Sequence, residues 1–212
     1  MPERLNRSLR KREMILSAGR QLFLNNGYQG TSMDQVAATA AVSKQTVYKH
    51  FGEKRALLFA IITDELDATV TKFRELISEL AESDNVEASL IMLAMEYLQA
   101  VLRDRVVQLR RLVIAEAGRL PELAKLYYER APTETLGALA DAFHRLDERG
   151  LLDAPESSVA AEHFAFLIIG RPMDQALFDG VAPVTARLDI GAQARAGVRV
   201  FLAGYRPRGE TE

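Results

Sequence analysis

No cysteine occurs in the 212 residues, which excludes a disulfide framework, a thiolate nucleophile and a thiolate-ligated metal. No apolar run approaches the roughly 18 residues that a membrane helix needs. The basic opening, Met1 to Arg10, is not followed by the apolar core of a signal peptide, so the expected location is the cytoplasm. Only three histidines are present, His50, His144 and His163, and no two have the His-x-x-x-His spacing of a helical metal site. Glu162 and His163 are neighbours and would point to different faces of a helix. A glycine-rich phosphate loop and a Gly-x-Ser-x-Gly elbow are both missing. Catalysis would have to rest on isolated carboxylates, so a non-enzymatic protein with no cofactor and no metal is expected. Repeats, low-complexity tracts and strand-like alternation are also absent, which leaves an all-α fold.

What is present is a chain that is 48% hydrophobic, enough for a sizeable core, with an uneven distribution of charge. The net charge of −2 hides 10 Lys/Arg against 4 Asp/Glu in residues 1–55, a balance of +6. The remaining 157 residues carry 17 against 25, a balance of −8. A cationic head on an acidic body suits a molecule that lays one end on a polyanion. A solvated basic arm has the same charge pattern.

Residues 31–54 decide between these. Ser32 and Gln35 have the spacing of a capping box, and Met33, Val36, Ala37 and Ala40 follow at helical spacing. Ala41-Val42 makes a turn, and Ser43 is a second N-cap. In the next short helix Val47 and Phe51 face inward, while Lys44, Gln45, Thr46, Tyr48, Lys49 and His50 occupy the rest. A helix whose leading end is polar suits the major groove, where N-terminal residues meet base edges.

The run Thr-Ser-Met-Asp-Gln-Val-Ala, then Val-Ser-Lys-Gln-Thr-Val-Tyr-Lys-His-Phe, then Glu-Lys-Arg-Ala-Leu-Leu resembles the helix-turn-helix of TetR-type transcriptional regulators over roughly residues 10–60. Two positions depart from that pattern. The family usually has glycine where this chain has Ala41, and alanine at positive φ costs about 1–2 kcal/mol. It often has a small residue where Gln45 stands. Residues 111–128, with the Gly150-Leu-Leu turn downstream, resemble more loosely the C-terminal domain of the AefR-like branch. The resemblance implies residues 1–52 as a three-helix DNA-binding domain, completed by the start of a helix at 53. Residues 53–212 become a helical ligand-binding and dimerisation domain. The function implied is a ligand-responsive repressor that binds a palindromic operator as a homodimer. A helical protein–protein adaptor is the alternative from another class, though it leaves the outward Lys44-Gln45-Thr46 face unexplained. A small all-α enzyme is the remaining one.

Along the chain the expected helices are 8–25, ending at Asn26-Gly27; 53–84, free of glycine and proline; and 86–103 and 105–118. A restart follows at Pro121, another helix at 133–149 opened by Pro132, then one from about Pro155 to Phe178, and a last at 184–205. With no linker between head and body, a shift in the body should swing the head. Arg4, Arg7, Arg10 and Lys11 could reach phosphates or a minor groove.

Candidate contacts follow from chemistry. Gln45 suits adenine and Lys44 guanine, while Thr46 suits a thymine methyl or a phosphate. Thr31, Ser43, Tyr48, Lys49, His50 and Lys54 complete the DNA set, mainly as phosphate holders; for His50 and Tyr48 packing is the alternative role. For an apolar or aromatic effector, Met92, Met95, Tyr127 and Phe143 are candidates, with Phe166, Glu116, His163 and Arg171. For the methionine and aromatic side chains among them, plain core is the commoner role. The resemblance implies dimerisation through the last two helices, with Phe164, Ile168, Ile190, Ala194, Gly197, Val198 and Phe201 as candidates. The same stripe suits a core inside one chain.

Overall fold

The computed structural model describes residues 2–207; the side chains of residues 2–5, 68, 69 and 72 lie outside that description. Among the described residues every regular element is helical. In order they are α1 (Pro2–Asn26), α2 (Met33–Thr39), α3 (Lys44–Phe51), α4 (Lys54–Ala81), α5 (Val86–Val101), α6 (Asp104–Glu116) and α7 (Pro121–Tyr128). A π turn (Glu129–Thr133) leads to α8 (Glu134–Glu148), followed by α9 (Ser157–Asp179), α10 (Val181–Thr185) and α11 (Ile190–Tyr205). No described helix is long and apolar enough to cross a membrane.

The chain forms two compact units, Met1–Leu66 with Gln108–Tyr127, and Asp67–Val107 with Tyr128–Glu212. In the first, Ile15, Phe23, Val36, Val47, Leu57, Leu58, Ile61 and Ile62 are buried. Gly19 lies mid-helix because α1 and α4 approach closely there. A Cβ at that position would sit 2.9 Å from Ile61 Cδ1 and 3.2 Å from Leu57 Cδ2. Arg20 ties the same two helices together, reaching Asp64 at 2.7 Å and Glu65 at 2.6 Å.

The second unit is a bundle of α5, α8, α9 and α11, with α10 packed on α9. Its centre is an aromatic triad. Phe143 and Phe164 meet edge-on at 5.7 Å, Phe164 and Phe201 edge-on at 5.3 Å, and Phe143 lies 5.1 Å from Phe201. Gly197 lets α11 approach α9, since a Cβ there would fall 2.5 Å from Ile168 Cδ1.

Three expectations about elements need correction. The first helix begins at Pro2 rather than residue 8, a position proline suits because its missing N–H has no helical partner there. The basic opening is therefore helical, with Arg7, Arg10 and Lys11 exposed on it, while the Arg4 side chain lies outside the described residues. Pro132 does not open a helix: the chain stays helical from α7 into α8, and Pro132 sits in the intervening π turn. A proline inside a helix withholds one N–H and presses on the carbonyl four residues back, and one widened turn accommodates both. The last expected helix is two, α10 and α11, the second capped by Asp189, which accepts from the Ala192 N–H at 2.8 Å.

Candidate nucleic-acid interface

Two caps and a turn set α2 against α3. The Ser32 N–H donates to Gln35 Oε1 at 2.8 Å, and the Gln35 N–H donates back to Ser32 Oγ at 3.2 Å, the reciprocal capping box the spacing predicts. Ala41 has φ 51°. Its N–H donates to the Ala38 carbonyl at 3.2 Å, and the Val42 N–H donates to that of Ala37 at 3.0 Å. This is a Schellman end to α2, whose closing residue takes a left-handed conformation. Ser43 then caps α3, accepting from the Thr46 N–H at 3.2 Å. Val47 and Phe51 are buried beneath α3.

Above that anchored face the candidate residues divide. Gln45, Lys44, Tyr48 and Lys49 are exposed, while Thr46 and His50 are half-buried. Thr46 shares a 2.8 Å hydroxyl contact with Ser43. Lys44 Nζ is held by Asp34, at 2.8 Å from Oδ1 and 3.0 Å from Oδ2. Its pKa is raised, first by the hydrogen bond to Asp34 and then by that residue's charge.

Two expected phosphate holders have other partners. Thr31 is 2% exposed, and its hydroxyl donates to the Gly27 carbonyl at 2.9 Å, so it closes the end of α1 and has no group turned outward. Lys54 donates to the carbonyls of Tyr28 at 2.9 Å and Thr31 at 3.0 Å, with its ammonium 4.2 Å from the centre of the Tyr28 ring. It pins the loop between α1 and α2. The pattern predicted a cation at the start of α4, but the two loop carbonyls that hold it, those of Tyr28 and Thr31, gave no signal in the sequence. Asp34, the acid facing Lys44, was also not foreseen; its position ten residues upstream of α3 hides it.

The effector candidates are dispersed. Phe143 is fully buried in the triad and Met95 packs partly buried against the second unit's core. Met92 and Phe166 point outward, Arg171 is exposed, and exposed His163 shares a 2.6 Å contact between Nδ1 and the Tyr205 hydroxyl. Burial raises the Tyr205 pKa, helped by the charge of Glu156. In the first unit Tyr127 is buried, and burial raises its pKa against the opposing effect of Arg110. Glu116, 7% exposed, has a carboxylate oxygen with no hydrogen-bond partner.

The dimer candidates also need correction. Phe164, Ile168, Ala194, Val198 and Phe201 are at most 1% exposed within the chain, and Gly197 is buried against Ile168. They hold α9 to α11 and have no surface for a second copy; Ile190 is half-buried. The outward face of α9 instead carries Val159, Phe166, Leu167 and Phe178, the last two phenylalanines 71% and 78% exposed. On α11 the exposed residues are Ala192, Arg195, Ala196, Arg199, Val200, Ala203 and Gly204.

A capped helix pair with a buried underside and a polar, exposed leading end defines a helix-turn-helix DNA-binding protein. The profile of bacterial regulatory proteins of the tetR family matches residues 15–61, and that of the AefR-like transcriptional repressor C-terminal domain matches residues 88–207. The chain belongs to the TetR family of transcriptional regulators. It is 33% identical to a TetR-family regulator from Mesorhizobium loti of known crystal structure, with TM-score 0.87, covering 94% of this chain and 98% of that one. The flavonoid-responsive regulator FrrA aligns at 29% identity and TM-score 0.72 over 94% and 99%. The HTH-type transcriptional regulator UidR of Escherichia coli K12 is 32% identical over 124 residues, 58% of this chain and 60% of UidR's own length.

Proposed function

We propose that the chain is a ligand-responsive repressor, acting in the cytoplasm, which binds a palindromic operator as a homodimer. Residues 1–52, completed by the start of α4, read DNA; residues 53–212 regulate and dimerise. The observation that carries this reading is the leading end of α3. Gln45 is exposed at its second position with both amide groups free to pair with adenine N6 and N7. Tyr48 and Lys49 flank it as phosphate contacts. The family often has a small residue at position 45, so its operator preference is this chain's own.

The outward face of α9 and α11 supports a dimer, because monomers rarely expose several large apolar side chains on one helix. Two copies of α3 then call for half-sites about one helical turn apart. For the effector, Glu116 supplies the strongest anchor. A buried carboxylate oxygen without a partner is costly, and a ligand hydroxyl or ammonium would satisfy it. FrrA is described as flavonoid-responsive, which favours a hydroxylated aromatic ligand. Continuous α4 carries the chain from one unit to the other and is the natural element for transmission. Release requires the ligand to prefer one arrangement of the protein; tight binding alone shifts nothing.

Operator selection from a randomised duplex pool tests the reading. The wild type should yield a palindrome, with affinity falling steeply as salt rises. Gln45→Ala should lose preference at one adenine per half-site by about tenfold, while Lys49→Ala should weaken all sequences alike. Absence of salt-sensitive binding to any duplex would favour the helical adaptor instead.

A further inference from the structure

The leading end of α3 presents an anion as well as a cation. Asp34 lies in the first turn of α2 and Lys44 is the first residue of α3. The Ala41 turn brings them together so that Lys44 Nζ bonds both carboxylate oxygens, at 2.8 and 3.0 Å. One turn further along α3, the Tyr48 ring centre lies 6.0 Å from the same ammonium. The lysine is therefore held from two sides, although its side chain is 59% exposed and that of Asp34 63%.

Neither stability nor grip accounts for this arrangement. Exposed ion pairs contribute little to folding, and a carboxylate beside a groove reader repels phosphate. Its chemistry nevertheless matches something that phosphate does not offer. An ammonium bound through two N–H groups keeps one donor, and a carboxylate with two lone pairs engaged keeps acceptor sites. Lysine's favoured base partners are guanine O6 and N7, and a carboxylate's is the cytosine N4 amino group, so the two side chains together complement the major-groove edge of a G·C pair. A free lysine is satisfied equally by any phosphate.

We infer that Asp34 is a specificity-determining residue, coupled to Lys44 so that the pair reads one G·C base pair in each half-site and is kept from gripping backbone indiscriminately. The inference rests on the proposal that α3 reads DNA. It makes Asp34 a brake on non-specific affinity and makes Lys44 a base reader only while Asp34 is charged.

Asp34→Asn, Lys44→Ala and the double variant test it by operator selection and by binding to an unrelated duplex across salt concentrations. Thermal melts confirm folding, which exposed positions should preserve. In Asp34→Asn one G·C position should relax by about tenfold. Binding to unrelated duplex should strengthen, its log–log salt slope steepening by about 0.9 for the one phosphate that the released ammonium neutralises. In the Lys44→Ala background Asp34→Asn should leave the selected site unchanged. A wild type that selects no duplex overturns both this inference and the regulator reading. A wild-type operator that Asp34→Asn selects identically, or a relaxed position that is not G·C, overturns this inference alone.

Discussion

Ala41 shows how a single residue can hold strain at a functional turn. The Schellman end to α2 requires left-handed backbone at this position, and Ala41 takes it at φ 51°. For an L-residue with a Cβ the left-handed conformation costs about 1–2 kcal/mol. Glycine would remove that cost while adding about 0.4–1 kcal/mol of unfolded-chain entropy to be lost on folding. Ala41→Gly should therefore stabilise the protein by about 0.5–1 kcal/mol in urea unfolding, with no change in the operator selected. Unchanged or lower stability would mean that the turn relaxes elsewhere. This position was legible in advance, because the family pattern marks it as a glycine site. The roles of Thr31 and Lys54 were not, since both depend on carbonyl groups, which every residue has and no sequence pattern distinguishes.

At the scale of elements, α9 and α11 show how the chain accommodates a proline in a helix interior. Pro172 lies buried within α9 and leaves the Ile168 carbonyl, four residues back, without its helical donor. Gln193 on α11 supplies one: its Nε2 donates to Ile168 O at 3.2 Å and to Leu167 O at 3.3 Å. Gly197, one turn along α11, allows the approach that makes this reach possible. Gln193→Leu should cost about 1–3 kcal/mol by leaving the carbonyl unpaired. In the Pro172→Ala background, where the helix can donate for itself, the cost should shrink toward zero, and a double-mutant cycle of unfolding free energies would read the coupling. Additive effects would show that Gln193 does not serve the proline. Periodicity revealed the small and apolar positions of α11 but not which surface they face. A stripe suited to a partner copy is here the seam with α9. The helical continuity through Pro132 was hidden for a related reason: local propensity argues for a break, whereas packing on either side favours one run with a widened turn.

At the scale of the whole molecule, the proposed dimer should make charge and self-association act together on DNA. Residues 1–55 carry +6 and the remainder −8, so a single copy brings one cationic region to the duplex and repels it elsewhere. Two copies on one operator double the phosphates neutralised, and because log affinity scales with that number, dimerisation should set the salt slope as well as the affinity. Phe166 and Phe178 are the largest exposed apolar groups of α9, so Phe166→Glu with Phe178→Glu should disrupt a dimer without disturbing the core. The doubly substituted protein should scatter light as a monomer at micromolar concentration and melt within a few degrees of the wild type. It should bind the selected operator with about half the log–log salt slope. A doubly substituted protein that remained dimeric would move the interface away from α9. One that became monomeric yet kept the full slope would mean that a single head supplies all the phosphate contacts, and the palindromic operator would lose its physical basis.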